Sequence, residues 1–227
     1  MPKTHKIEHA LGEGSEHLDF LVWALSFFVG MRLTTTEAGF LDATPIKPRK
    51  LIDFVLSPCQ YPRALELAEA FWQANKGKPV RAKRWIAAVH ALFIAGWPQA
   101  LQFEQFIYLY GALDACFALA REFHKAPGTR HFERPAWLCK VFSIPEPAWV
   151  TTNSLDHIAT IRNATLHESL FMDAPLGFAL HGIESAQNLP LEMKALVSRL
   201  LVALIGAASS TYVGTPVNTR QMVGLDS

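Results

Sequence analysis

Residues 85–123, WIAAVHALFIAGWPQALQFEQFIYLYGALDACFALAREF, decide the fold class. Apolar side chains recur every three or four positions on both sides of Gly96-Trp97-Pro98. The pattern predicts two helices, Trp85–Ala95 and Ala100–Phe123, separated where proline cannot continue a helix. Upstream, residues 15–31 (SEHLDFLVWALSFFVGM) predict another apolar helix, with Ser15 as its N-cap and Gly30 near its end. Pro62 is placed to open a helix over 63–75, where Leu65, Leu67, Ala68, Phe71 and Trp72 share one face. Downstream, a helix capped by Asn153 or Ser154 runs to about Leu170, Asp173–Gly182 form a break, and Leu189-Pro190 lead into a last helix over 192–212.

The stretches between these helices carry turn chemistry rather than alternating strands. Residues 32–62 hold Thr34-Thr35-Thr36, Gly39 and four prolines, with room for a short hairpin within 32–50. Residues 124–150 are rich in proline and aromatic side chains. With no repeat and no low-complexity tract, the expected architecture is all-α. It is a single domain over 1–227: a helical bundle with an irregular N-terminal insertion.

Half of the 227 residues are hydrophobic, enough to fill a sizeable core. The formal net charge is +1, from 21 basic and 20 acidic residues. No global field therefore draws the chain onto nucleic acid or an anionic membrane, and any RNA contact requires a local patch. Lys76, Lys78, Arg81, Lys83 and Arg84, in a basic turn beside Trp85, are the candidate patch, although a solvated loop has the same composition. Cys59, Cys116 and Cys139 are odd in number and lack C-x-x-C spacing, which points to free thiols and a cytoplasmic location. The N-terminus has no apolar core of a signal peptide. Residues 18–31 are too short to span a membrane and 195–213 are interrupted by Arg199, so both predict core helices. His5 and His9 are four apart but no third ligand stands near them, so no metal site is expected. No P-loop, dinucleotide fingerprint, nucleophile elbow or H-E-x-x-H pattern occurs, and no cofactor is expected.

The chemistry concentrates in SLDHIATIRNATLHESL, residues 154–170. At about 100° per residue, Asp156, Thr160, Asn163 and His167 form a polar stripe on an α-helix. Leu155, Ile158, Ala159, Leu166 and Leu170 form the apolar face, and Arg162 projects from near its middle. A guanidinium there requires a partner or an interface. Histidine, with an ordinary pKa near 6.5, suits acid–base work, and arginine clamps phosphate oxygens through its planar fork. On a regular α-helix Arg162 and His167 point about 140° apart, so either the helix distorts near His167 or the groups converge across a dimer.

Arg162-Asn163-Ala164-Thr165-Leu166-His167 resembles the R-x(4–6)-H motif of HEPN domains, in the variant with a polar residue after the arginine. The helix containing YLYGALDACFALA, residues 108–120, is similar to the long helix that packs beside the motif helix in that family. The likeness extends loosely over residues 63–213, with 1–62 as an N-terminal helix and Pro-rich extension. The resemblance implies a bundle that dimerises so that two motifs form one composite, metal-independent endoribonuclease site, as in toxin–antitoxin and antiviral defence proteins. Arg162, Asn163 and His167 would be the catalytic residues, with Asp114 and Glu168 as supporting groups that position the arginine or histidine. RNA, a second copy of the chain, and an antitoxin or regulatory protein are the implied partners. The alternative is a catalytically silent helical dimer that binds a nucleotide or protein partner. Some members carry a modifiable tyrosine two residues after the histidine; Ser169 stands here, so that regulation is not expected. Arg84 and His90 also fit the loose spacing, but Trp85 comes directly after that arginine and His90 lies in the apolar run AAVHALF.

Overall fold

A computed structural model of the chain describes residues 10, 15–30, 32–33, 60–125, 129–151, 158–176, 184–219 and 224–225. They form helices α1 (Glu16–Val29), α2 (Tyr61–Asn75), α3 (Pro79–Ala95), α4 (Gln102–Phe123), α5 (Arg134–Phe142), α6 (Ile158–Asn163) and α7 (Glu184–Val202). Beside them stands one two-stranded hairpin, β1 (Leu170–Phe171) and β2 (Ala174–Pro175). The all-α class read from the periodicity is the observed one. Residues 34–50 of the expected hairpin region, the caps Asn153 and Ser154, Cys59, His5 and His9 lie outside the described residues.

Local chemistry explains most boundaries. Ser15 Oγ accepts the backbone N–H of Leu18 at 3.1 Å, and Glu16 and Asp19 face the positive end of α1. Gly30 ends that helix in the left-handed region, φ 73°, with its N–H on the Phe27 carbonyl. Pro62 and Pro79 occupy first-turn positions of α2 and α3, where a missing N–H costs nothing. The Glu104 carboxylate accepts the Leu101 N–H at 2.8 Å at the start of α4, just after the break at Gly96-Trp97-Pro98.

Outside the motif segment, three helices depart from the sequence expectation. Helix α3 begins at Pro79, so Arg81, Lys83 and Arg84 sit on a helix rather than in a turn. Helix α7 begins at Glu184 and runs through Pro190. Proline removes one helical hydrogen bond there, and the burial of Leu189 and Pro190 offsets the loss. The third departure is α5, within the Pro-rich stretch: it has Pro135 in its first turn and a left-handed Ser143 at its end.

The core is built around Trp85 of α3, which is fully buried. Its indole Nε1 donates to the Leu201 carbonyl of α7 at 3.1 Å, and the rings of Phe20 and Phe27 lie against it. Helix α4 packs along α3 on one side and α7 on the other, while α1 covers α2 and α3. Cys116 and Cys139 are buried free thiols, each pushed up to about 12 by burial. Among the described residues no helix is long and apolar enough to cross a membrane.

After α7 the chain makes a π turn, Ala203–Ala207, in which Gly206 adopts φ 115°, a conformation only glycine takes cheaply. Buried Arg199 ties residues 212–216 back onto α7. Its guanidinium donates to the carbonyls of Thr215 (2.8 Å) and Pro216 (2.9 Å) and lies over the Tyr212 ring at 4.7 Å.

Candidate functional site

The segment carrying the arginine–histidine motif is not one regular helix. Helix α6 is α-helical to Asn163 and then widens into a π turn, Ala164–Glu168, closed by Ser169 at φ 56°. The buried Thr165 hydroxyl donates to the Ile161 carbonyl at 2.7 Å, a back-bond that competes with the regular helical pattern and bends helices. A π turn advances less per residue than an α turn. It therefore rotates His167 toward the side from which Arg162 projects and closes part of the gap of about 140° expected of an ideal helix. Leu166, expected on the apolar face, is 49% exposed. Ile158, Ala159 and Ile161 form the buried face, and Thr160, Asn163 and His167 of the polar stripe are exposed; Leu155 and Asp156 lie outside the described residues.

Arg162 is half-buried. Its Nη1 donates to Asn163 Oδ1 at 2.9 Å, and its Cζ lies 5.9 Å from the centroid of the Tyr110 ring on α4. A guanidinium over an aromatic face is held by the ring quadrupole and keeps part of its fork for another acceptor. His167 and Glu168 are exposed at the end of the π turn. The β1–β2 hairpin anchors this end: Met172 and Asp173 both have positive φ, as a tight two-residue turn requires, and Phe171 is buried against Phe106.

Tyr110 connects Arg162 to a second group of charges. Burial raises its phenol above the ordinary value, the Asp114 carboxylate adds to the rise, and Arg162 and Arg134 oppose it. Asp114 does not partner Arg162 or His167, as the sequence suggested. It accepts from Arg134 Nη1 at 2.9 Å, and the Arg134 guanidinium lies over Phe117 at 4.8 Å. A small depression opens here between Tyr110, Asp114, His131, Arg134 and Leu138. Its wall includes the first residues of α5, whose N-terminal end favours an anion. The turn His131–Glu133 packs against α6, so this depression adjoins the motif helix. Tyr110, His131 and Arg134 escaped the sequence reading because they meet only through tertiary packing.

The basic candidates lie elsewhere. Arg81 and Arg84 both pair with Glu122 of α4, Arg81 at 2.9 Å, and together they hold its carboxyl below the ordinary range. Arg81 also donates to Asn75 and lies over Phe123. Lys83 reaches Glu16 at 3.3 Å, and Lys76 and Lys78 are exposed. His90, the partner of Arg84 in the looser match, packs against Trp23, and burial lowers its pKa. Among the described residues no group of three His, Cys, Asp or Glu side chains could hold a metal ion.

No family model, curated protein or solved structure matches this chain.

Proposed function

We propose that this chain is an endoribonuclease of HEPN type that needs no metal, with a composite site formed by the motif segments of two copies. The observation that carries the reading is the state of the two motif side chains. Arg162 is braced against Tyr110 and oriented by Asn163, while His167 stands exposed on a turn that departs from α-helical geometry. In the reaction the RNA 2′-oxygen attacks the adjacent phosphorus and the bond to the 5′-oxygen breaks. One His167 takes the 2′-hydroxyl proton, and a proton from the His167 of the second copy reaches the departing oxygen. Arg162 neutralises charge on the phosphorane. A two-fold interface brings both motifs together, since isologous dimers present one patch twice. A role in toxin–antitoxin or antiviral defence, with a restraining partner protein, accompanies this reading.

The test is RNA integrity in cells and in purified reactions, comparing the chain with His167→Ala, with products examined for 2′,3′-cyclic phosphate ends. Equal cleavage by both proteins, or cleavage by a monomer as active as the assembly, overturns the reading. A parent that dimerises and cleaves nothing favours a silent module that binds a nucleotide or partner, for which the exposure of His167 is also suited.

A further inference from the structure

The depression beside Tyr110 has a charge balance that the motif alone does not explain. Arg134, Arg162 and His131 stand around Tyr110 with Asp114 as the facing carboxylate, while Glu133 is turned away to accept the Arg130 N–H at 2.8 Å. Arg134 uses Nη1 on Asp114, and its Nε–H is buried without an acceptor among the described residues. A buried donor of a charged group left in that state is costly, and an anion or water that supplies the missing acceptor is stabilised there. The enclosed part of the depression measures about 10 Å³, room for one water-sized group. That size excludes a whole nucleotide and admits one oxygen of an anionic group held at its open mouth.

We propose that the depression between Tyr110, His131 and Arg134 is a phosphate subsite, taking a backbone phosphate of the RNA strand next to the one held by Arg162. The inference rests on the ribonuclease reading for the identity of the strand. Arg134 is the binding residue, and Asp114 is a positioning residue that holds its fork. The carboxylate also repels the incoming anion, so its two effects can be separated: asparagine keeps an oxygen for Arg134 and removes the charge.

The experiment measures binding of a short, fully 2′-O-methylated oligoribonucleotide, which has no nucleophile and cannot be cleaved, across a salt series. Arg134→Gln is expected to weaken binding about 10- to 100-fold, and to lower the slope of log affinity against log salt by about 0.7, the value for one lost phosphate contact on a single strand. Asp114→Asn is expected to tighten binding, by up to about fivefold, an outcome that misfolding does not produce. Thermal unfolding accompanies both variants. The proposal is overturned if the oligonucleotide does not bind the parent, if Arg134→Gln leaves affinity and slope unchanged, or if Asp114→Asn weakens binding as Arg134→Gln does. Failure of the ribonuclease reading is distinguishable: the uncleavable strand then binds as described while unmodified RNA stays intact.

Discussion

Arg162 lies over the face of Tyr110, its Cζ 5.9 Å from the ring centroid, and this contact joins the motif helix α6 to the long helix α4. The arginine is thereby held in place before any ligand arrives. The ring supports the guanidinium through its face, so its hydroxyl is not the essential part.

Tyr110→Phe is therefore expected to keep cleavage within a few-fold of the parent. Tyr110→Leu removes the quadrupole and releases Arg162, a contact worth about 0.5–2 kcal/mol. Cleavage is expected to fall by roughly two- to thirtyfold with that variant. Measuring kcat/KM for the two variants separates the ring from the hydroxyl; a larger loss in Tyr110→Phe contradicts the bracing role.

The motif residues act on one transition state. His167→Ala is expected to lower cleavage by about 10²–10⁴-fold and Arg162→Ala by about 10²–10³-fold, with the double variant far from the product of the two. Chelators should change little. Arg84→Ala loses its ion pair with Glu122 and His90→Ala an aromatic contact, so both should lose stability but retain chemistry. A strict requirement for a divalent metal, or full activity in both motif variants, removes the basis for the proposed mechanism.

Arg199 gives the stability counterpart. Buried between α7 and the segment after it, it satisfies the carbonyls of Thr215, Pro216 and Ala195 and stacks on Tyr212. Arg199→Ala strips charge-assisted bonds from a site with little access to water, at a cost of about 3–5 kcal/mol. In a chain of this length the midpoint of thermal unfolding should fall by roughly 10 °C. Lysine offers one point charge in place of the planar fork, so Arg199→Lys should recover only part of the loss. A midpoint unchanged in Arg199→Ala rules out this anchoring.

What the sequence makes legible is what is local. The ends of α1 announce themselves because Ser15 and Gly30 act within one turn of where they stand. The true start of α3 is hidden because its first turns are cationic, and their ion pairs reach Glu122 some forty residues away. Pro190 reads as a boundary, yet packing keeps it inside α7. Arg162, Asn163 and His167 are readable as a set because one short segment carries them. The π turn is not, because reading a helical period assumes the α geometry that Thr165 helps to break. Asp114 is recognisable as a candidate, but its partner Arg134 lies on an element that proline-rich composition conceals.

Lys194 provides a test of how the core handles charge. The residue is 6% exposed, and burial alone pulls its ammonium down from the ordinary 10.5 to about 8. The unfolded chain keeps that proton until near 10.4, whereas the folded chain releases it near 8, so unfolding takes up a proton between these values. Stability must therefore rise with pH across that window. Below it, where both states are charged, the burial penalty is present in full. The shift corresponds to about 3 kcal/mol as an upper bound. Methionine has nearly the same length and volume without the charge. Lys194→Met is thus expected to be more stable than the parent near neutral pH by up to about 3 kcal/mol, with the advantage shrinking as pH climbs from 8 toward 10.5. Urea unfolding of the two proteins at neutral pH and at the top of this window measures the difference directly. An advantage that does not shrink, or a variant less stable than the parent at neutral pH, means that the ammonium is stabilised in the fold and that its burial carries no such penalty.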